Sequence, residues 1–117
     1  MAAPNIVNVS TITGKTAVQA VGTSATAIVT NSASSGKVFK INALYVSNVD
    51  GTNNAEVTVD LFRSSTAYRI ANTVVVPADA SLDVLSKPIY LEEGDSLRLT
   101  ANAASDIEAV CSYEEIS

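Results

Sequence analysis

Apolar and polar residues alternate with a period of two along most of this chain, as in strands that press one face into a core and turn the other to water. In Glu56-Val57-Thr58-Val59-Asp60-Leu61 the three aliphatic side chains fall on one side, and Leu97 and Leu99 do the same against Ser96, Arg98 and Thr100. Val, Ile and Thr recur throughout, with Gly, Asn, Asp and Ser clustered between the apolar stretches. The pattern predicts strands at residues 6–13, 16–21, 25–30, 37–48, 55–63, 68–76, 82–85, 89–91, 96–101 and 107–114. An all-β chain follows: one antiparallel β-sandwich domain, jelly-roll-like, spanning residues 1–117.

Two strands depart from clean alternation. Around residues 38–46, Phe39, Ile41, Ala43 and Tyr45 share one side while Leu44 and Val46 lie on the other, which predicts a central strand or one that touches a second subunit. The last strand sets Ile107, Ala109, Cys111 and Tyr113 against Glu108, Ser112 and Glu114, with Val110 as the exception. Cys111 therefore reads as a small core residue, not a nucleophile. Asp50-Gly51 can supply the positive φ angles of a hairpin turn, so the strands on either side are expected to pair. Pro77 and Pro88 mark strand ends or edges. The first strand, residues 6–13, is either an ordinary edge strand or an arm, within residues 1–13, that pairs with a neighbouring chain.

Composition narrows the function. With no histidine the chain cannot build a Ser-His-Asp or Cys-His machine or a His-ligated zinc site. One cysteine cannot close an intrachain disulfide. Seven basic against twelve acidic residues work against binding to nucleic acid or anionic membrane. Only 16% of residues are charged and mean hydropathy is +0.25, apolar enough to predict that a partner covers some surface. Surface scaling for this mass gives roughly 6,000 Å² folded against about 17,500 Å² unfolded, which suits one domain. The start, Met1-Ala2-Ala3-Pro4-Asn5, lacks the basic region and apolar core of a secretory signal, so synthesis in the cytosol is expected.

Four patterns tempt and fail. Gly14-Lys15-Thr16 resembles the end of a P-loop, but the glycine required five residues earlier is Val9, so Gly14 reads as a turn residue. The oxygen-rich loop Asp50-Gly51-Thr52-Asn53-Asn54-Ala55-Glu56 does not match calcium-loop spacing. Glu92, Glu93 and Asp95 are dense enough for paired-carboxylate chemistry, yet without tryptophan platforms they read as a solvated turn at a rim of the sandwich. The sequon Asn8-Val9-Ser10 means little without a secretory signal. No catalytic residue, cofactor site or metal site is expected, and an interaction role is the default.

Three runs carry a family resemblance: Val76-Pro77-Ala78-Asp79-Ala80-Ser81-Leu82-Asp83-Val84, then Pro88-Ile89-Tyr90-Leu91-Glu92-Glu93-Gly94-Asp95-Ser96-Leu97-Arg98-Leu99, then Ser112-Tyr113-Glu114-Glu115-Ile116. They resemble the small β-sandwich virion proteins of tailed bacteriophages. The opening Ala3-Pro4-Asn5-Ile6-Val7-Asn8-Val9 and Thr13-Gly14-Lys15-Thr16 are similar to short structural proteins of T-even-like phages of marine cyanobacteria. The resemblance implies a non-enzymatic capsid decoration or cement protein, made in the host cytoplasm and carried on the virion as a homo-oligomer, often a trimer, against the major capsid protein or other virion proteins. A neck, tail or fibre-associated subunit is the alternative, and a receptor- or glycan-binding module a third. Contacts are expected from Ile6, Val7 and Val9 in the first strand, from Phe39 and Tyr45 at a subunit interface, and from Phe62 on the wet face.

Overall fold

A computed structural model describes residues 4–117, and these contain nine strands and no helix. The strands are β1 (Ile12–Val21), β2 (Thr26–Thr30), β3 (Val38–Asn48), β4 (Ala55–Arg63), β5 (Thr66–Val76), β6 (Ser81–Asp83), β7 (Ile89–Leu91), β8 (Ser96–Ala101) and β9 (Ile107–Ile116). All pairings are antiparallel. One sheet, A, has the order β1-β9-β3-β6, with β7 also paired to β3; the other, B, runs β2-β8-β4-β5. With β6 and β7 taken as two pieces of one interrupted edge strand, this is the strand order of a jelly roll, in which the chain passes from sheet to sheet at most connections.

The core lies between the sheets. Val57, Val59, Leu97 and Leu99 of sheet B and Ile41, Leu44, Val46 and Cys111 of sheet A are all fully buried, as their alternation requires. Each such aliphatic contributes about 1.5–3 kcal/mol by leaving water. The sheets also carry two buried amides that satisfy loop backbone. Asn48 donates to the carbonyls of Asn53 and Val76, both at 2.9 Å, and Asn31 donates to those of Lys37 and Leu91.

Four local expectations are corrected. First, Asp50-Gly51 does not close a hairpin: β3 belongs to sheet A and β4 to sheet B, and neither residue has a positive φ. The Asp50 carboxylate instead caps its own loop, accepting from the amides of Thr52 at 2.8 Å and Asn53 at 3.3 Å. Those bonds, the Thr52 amide first, hold its carboxyl below the ordinary carboxylate value. The hairpin that does form joins β4 to β5 through Ser64 and Ser65, both at positive φ, the geometry of a primed two-residue turn. Second, β3 is central as expected, between β9 and the β6 and β7 pieces, but its faces are not as the alternation assigned them, because Asn42 is bulged out of its register with β9. The slip turns Phe39 and Ile41, and then Leu44 and Val46, toward the same core. Third, Gly14 is no turn residue; it sits inside β1 opposite Glu114. Fourth, no strand covers residues 6–11: the ladder starts at Ile12, and the preceding residues turn at Asn5, whose carbonyl accepts the Asn8 amide and whose side chain accepts that of Val7.

Candidate interaction surfaces

Polar side chains in the sandwich pair with one another. Asp60 of β4 and Arg98 of β8 are register partners on the outer side of sheet B, joined by bonds of 2.9 and 3.3 Å, and the Arg98 guanidinium lies 3.9 Å over the Phe62 ring. Glu115 near the end of β9 pairs with Lys15 of β1 at 2.9 Å and with Lys37 just before β3. The lysines, Lys37 foremost, hold its carboxyl below the ordinary range.

The acidic turn after β7 is a correction to the sequence-based picture. The segment is a turn at the rim with Glu92 exposed, as expected, but it is not solvated throughout, since Asp95 is 1% exposed. Its carboxylate takes two bonds from Arg63, at 2.8 and 2.6 Å, and a third from the Glu92 amide at 2.8 Å. Burial pushes the Asp95 carboxyl up, but the Arg63 bonds and the Glu92 amide outweigh it and leave it below its ordinary value. Glu93 accepts the Gly36 amide at 2.9 Å, and the Asp95 carbonyl accepts that of Asn31. Four segments are thus tied at one rim: the end of β4, the β2–β3 loop, the β7–β8 turn and the start of β8. The carboxylates are committed to fold, and among the described residues no three His, Cys, Asp or Glu side chains gather to hold an ion. Cys111 is fully buried, and burial pushes its thiol up to about 11, well away from the reactive thiolate.

Part of the surface left without a partner is apolar. On the outer side of sheet A, Val18 of β1 is opposite Val110 of β9, which is opposite Tyr45 of β3, and these three are 74%, 40% and 48% exposed. Val18 and Val110 flank a shallow groove of about 330 Å³ that also touches Ala20 and Glu108. A second groove, of about 270 Å³, lies between the N-terminal residues Pro4 and Ile6 and the side chains of Val38, Tyr90 and Glu92.

The expected contact residues separate on this surface. Ile6 is half-exposed and Val7 is 90% exposed, while Val9 is partly covered. Residues 1–3 of the expected arm lie outside the described residues. Tyr45 is exposed as expected, and Phe62 is on the outer side of sheet B but half-covered by Arg98. Phe39 is corrected: the bulge at Asn42 turns it inward, 7% exposed, with its ring centroid 5.6 Å from that of Tyr113. Sequence reasoning missed Val18 but held a clue to Val110, the one residue that broke the alternation of the last strand.

No protein-family model matches the chain, and no curated protein matches it. Solved structures do. A subunit of Bacillus endospore appendages, described as a family of disulfide-linked pili, matches with a TM-score of 0.54 and 18% identity over 92% of this chain and 88% of that one. A chain of the acid-stable capsid of the Helicobacter pylori bacteriophage KHP30 matches with a TM-score of 0.51 and 8% identity over 94% of this chain and 90% of that one. At such identities the shared property is the sandwich fold.

Proposed function

We propose that this chain is a non-enzymatic structural subunit of a bacteriophage virion, specifically a capsid decoration protein that binds the major capsid protein as a homo-oligomer, with a trimer favoured. The observation that carries the reading is the contrast between interior and surface. The strongly held charges are committed to the fold through Arg63–Asp95, Arg98–Asp60 and Glu115 with its two lysines, while the outer side of sheet A exposes an apolar row across three strands at Val18, Val110 and Tyr45. Such a module has contacts to offer and no cleft in which to concentrate reactive groups. The jelly-roll strand order and the likeness to a phage capsid chain support a virion subunit. The motifs at residues 76–84 and 88–99 support a source among tailed bacteriophages, the opening residues 3–9 and 13–16 one among T-even-like phages, and the second motif has a physical role here, since it supplies the Glu92, Glu93 and Asp95 of the rim network.

Many weak contacts between repeated copies would give such a protein its hold on a shell, because each added contact forms at high effective concentration. The pilus likeness supports the broader class of assembly subunit, but its disulfide linkage does not transfer to a chain whose one cysteine is buried. Quantitative mass spectrometry of purified virions tests the assignment. A decorator repeats with the capsid lattice, on the order of hundreds of copies, whereas a neck, tail or fibre part is limited to about a dozen by ring symmetry. A count near a dozen overturns the decoration role in favour of the neck or tail, and absence from particles overturns the virion reading.

A further inference from the structure

The open edges of the two sheets are unequal. Of the chain's seven basic and twelve acidic side chains, only Lys15 falls within residues 1–36, the stretch that holds the N-terminal arm, β1 and β2. Both strands lie at the same lateral side of the sandwich, β1 at the edge of sheet A and β2 at the edge of sheet B. The Gln19 side chain ties them, donating to the Ala27 carbonyl at 3.0 Å while its own oxygen stays buried without a partner. β1 is ten residues long, pairs with β9 in unbroken register from Ile12 to Val21, and contains neither proline nor bulge. Alternate residues of such an edge strand point free N–H and C=O groups outward, and proteins that keep an edge unpaired ordinarily defend it with charge, proline or a bulge.

The arm is the complementary piece. Residues 4–11 carry no charge and include Ile6, Val7 and Val9, a β-forming composition, yet they obtain no ladder partner beyond the bonds of Ser10 and Thr11 to Ser117. Those bonds tether the arm on the β9 side of β1, and Pro4 and Ile6 lie beside Val38 and Tyr90, so it leads away from the open edge of its own β1. Eight residues in extended form reach about 26 Å, enough to pair along most of a ten-residue strand.

We infer that residues 4–11 of one copy add as a strand to the open β1 edge of a second copy, with Val7 and Val9, which share a side of an extended strand, packing near Val18 and Val110. Arm and edge are different patches, so the contact is heterologous and either closes into a ring or propagates. It deepens the reading of the chain as a repeated assembly subunit and rests on it.

Sedimentation velocity of the full chain over a wide concentration range, with Val18→Lys and Val7→Asp, tests the inference. Both residues are mostly exposed, so both variants should melt like the parent. Each should weaken self-association at least tenfold, equivalent to about 1.4 kcal/mol. A peptide of residues 1–11 should shift the backbone amide resonances of Thr16, Val18 and Ala20 and leave those of β5 in place. Loss with Val18→Lys alone means that the edge takes another partner; loss with Val7→Asp alone means that the arm docks elsewhere. Either overturns the proposal, as does a chain that stays monomeric and ignores the peptide. Intact association in a protein absent from virions would instead sink the virion reading and leave this contact standing.

Discussion

Strand β1 runs ten residues in unbroken register along one side of the sandwich, while on the opposite side β5 runs eleven residues with two breaks in register. The β5 breaks set Ile70 and the Asn72-Thr73 pair out of step with β4, and Thr73 is held at φ 47° with its amide bonded to the Thr58 hydroxyl at 3.0 Å. Beside it, the edge of sheet A is reduced to β6 and β7, three residues each, separated by a segment containing Lys87 and Pro88. Short strands, bulges, proline and charge are the devices that stop one sheet from recruiting another. One flank of the molecule uses all of them; on the other, β2 is short and bulged at Ile28, whereas the longer β1 has a single lysine. The contrast teaches that edge protection here is selective: an undefended edge on a molecule that defends its other edge is a surface with a use.

The largest test removes a charged group from the defended part of the chain. Asp95→Ala deletes the acceptor of two Arg63 bonds and of the Glu92 amide, and so loosens the end of β4 from the β7–β8 turn. Losing one partner of a fully buried ion pair costs 3–5 kcal/mol; Arg63 is partly exposed and can recover water, so about 2–3 kcal/mol is expected. Urea unfolding measures it. Self-association of the folded fraction should be unchanged, and a joint loss would show that the two parts of the molecule are not independent.

Acid should separate them in the same way. Asp95 and Glu115 have folded carboxyls below their ordinary values of 3.8 and 4.5, so their contribution to stability is fully present above those values. It is lost as pH falls through them toward the lower folded values, because the unfolded state then takes up protons first. Melting temperature should accordingly hold from neutrality to about pH 5 and decline below it. Association through arm and β1 should change less than stability over the same range, since Val18 and residues 4–11 are uncharged, although the carboxylates near that edge include Glu108, beside the groove, and Glu115, on Lys15.

The strands read most directly from sequence were β4, β7 and β8, whose bounds match the expectation, because each has one buried face and regular alternation. Failures arose where the deciding partner is remote or the period slips. Asn42 adds one residue to β3, and in a sequence a slip of one is indistinguishable from a strand with two apolar faces. The Asp50-Gly51 turn signal is local and does not say which sheet receives the next strand. Asp95 finds Arg63 across 32 positions, so the acidic triplet looked solvated until the fold closed it. For the surface, the arm residues Ile6, Val7 and Val9 were legible from β-forming composition, whereas Val18 was lost in the small-residue stretch of β1. The run to residue 36, with Lys15 as its one charge, was open to inspection throughout, but only the fold shows that its strands form one flank.

The smallest expected effect bears most directly on the contrast between edges. Val75 on β5 is 52% exposed, comparable in kind to Val18, and lies beyond the bulge at Thr73. Val75→Lys adds the same charge to the same residue type on an edge strand, so it controls for any general influence of charge or lost apolar area. Stability should stay within about 0.5 kcal/mol of the parent, as for most surface substitutions. Because β5 is already barred from recruiting a strand by its broken register, the lysine has no pairing to abolish, and the dissociation constant from sedimentation should move by less than about twofold. An effect as large as that of Val18→Lys would mean that association follows exposed apolar area wherever it lies and that the regular edge of β1 has no special part in it.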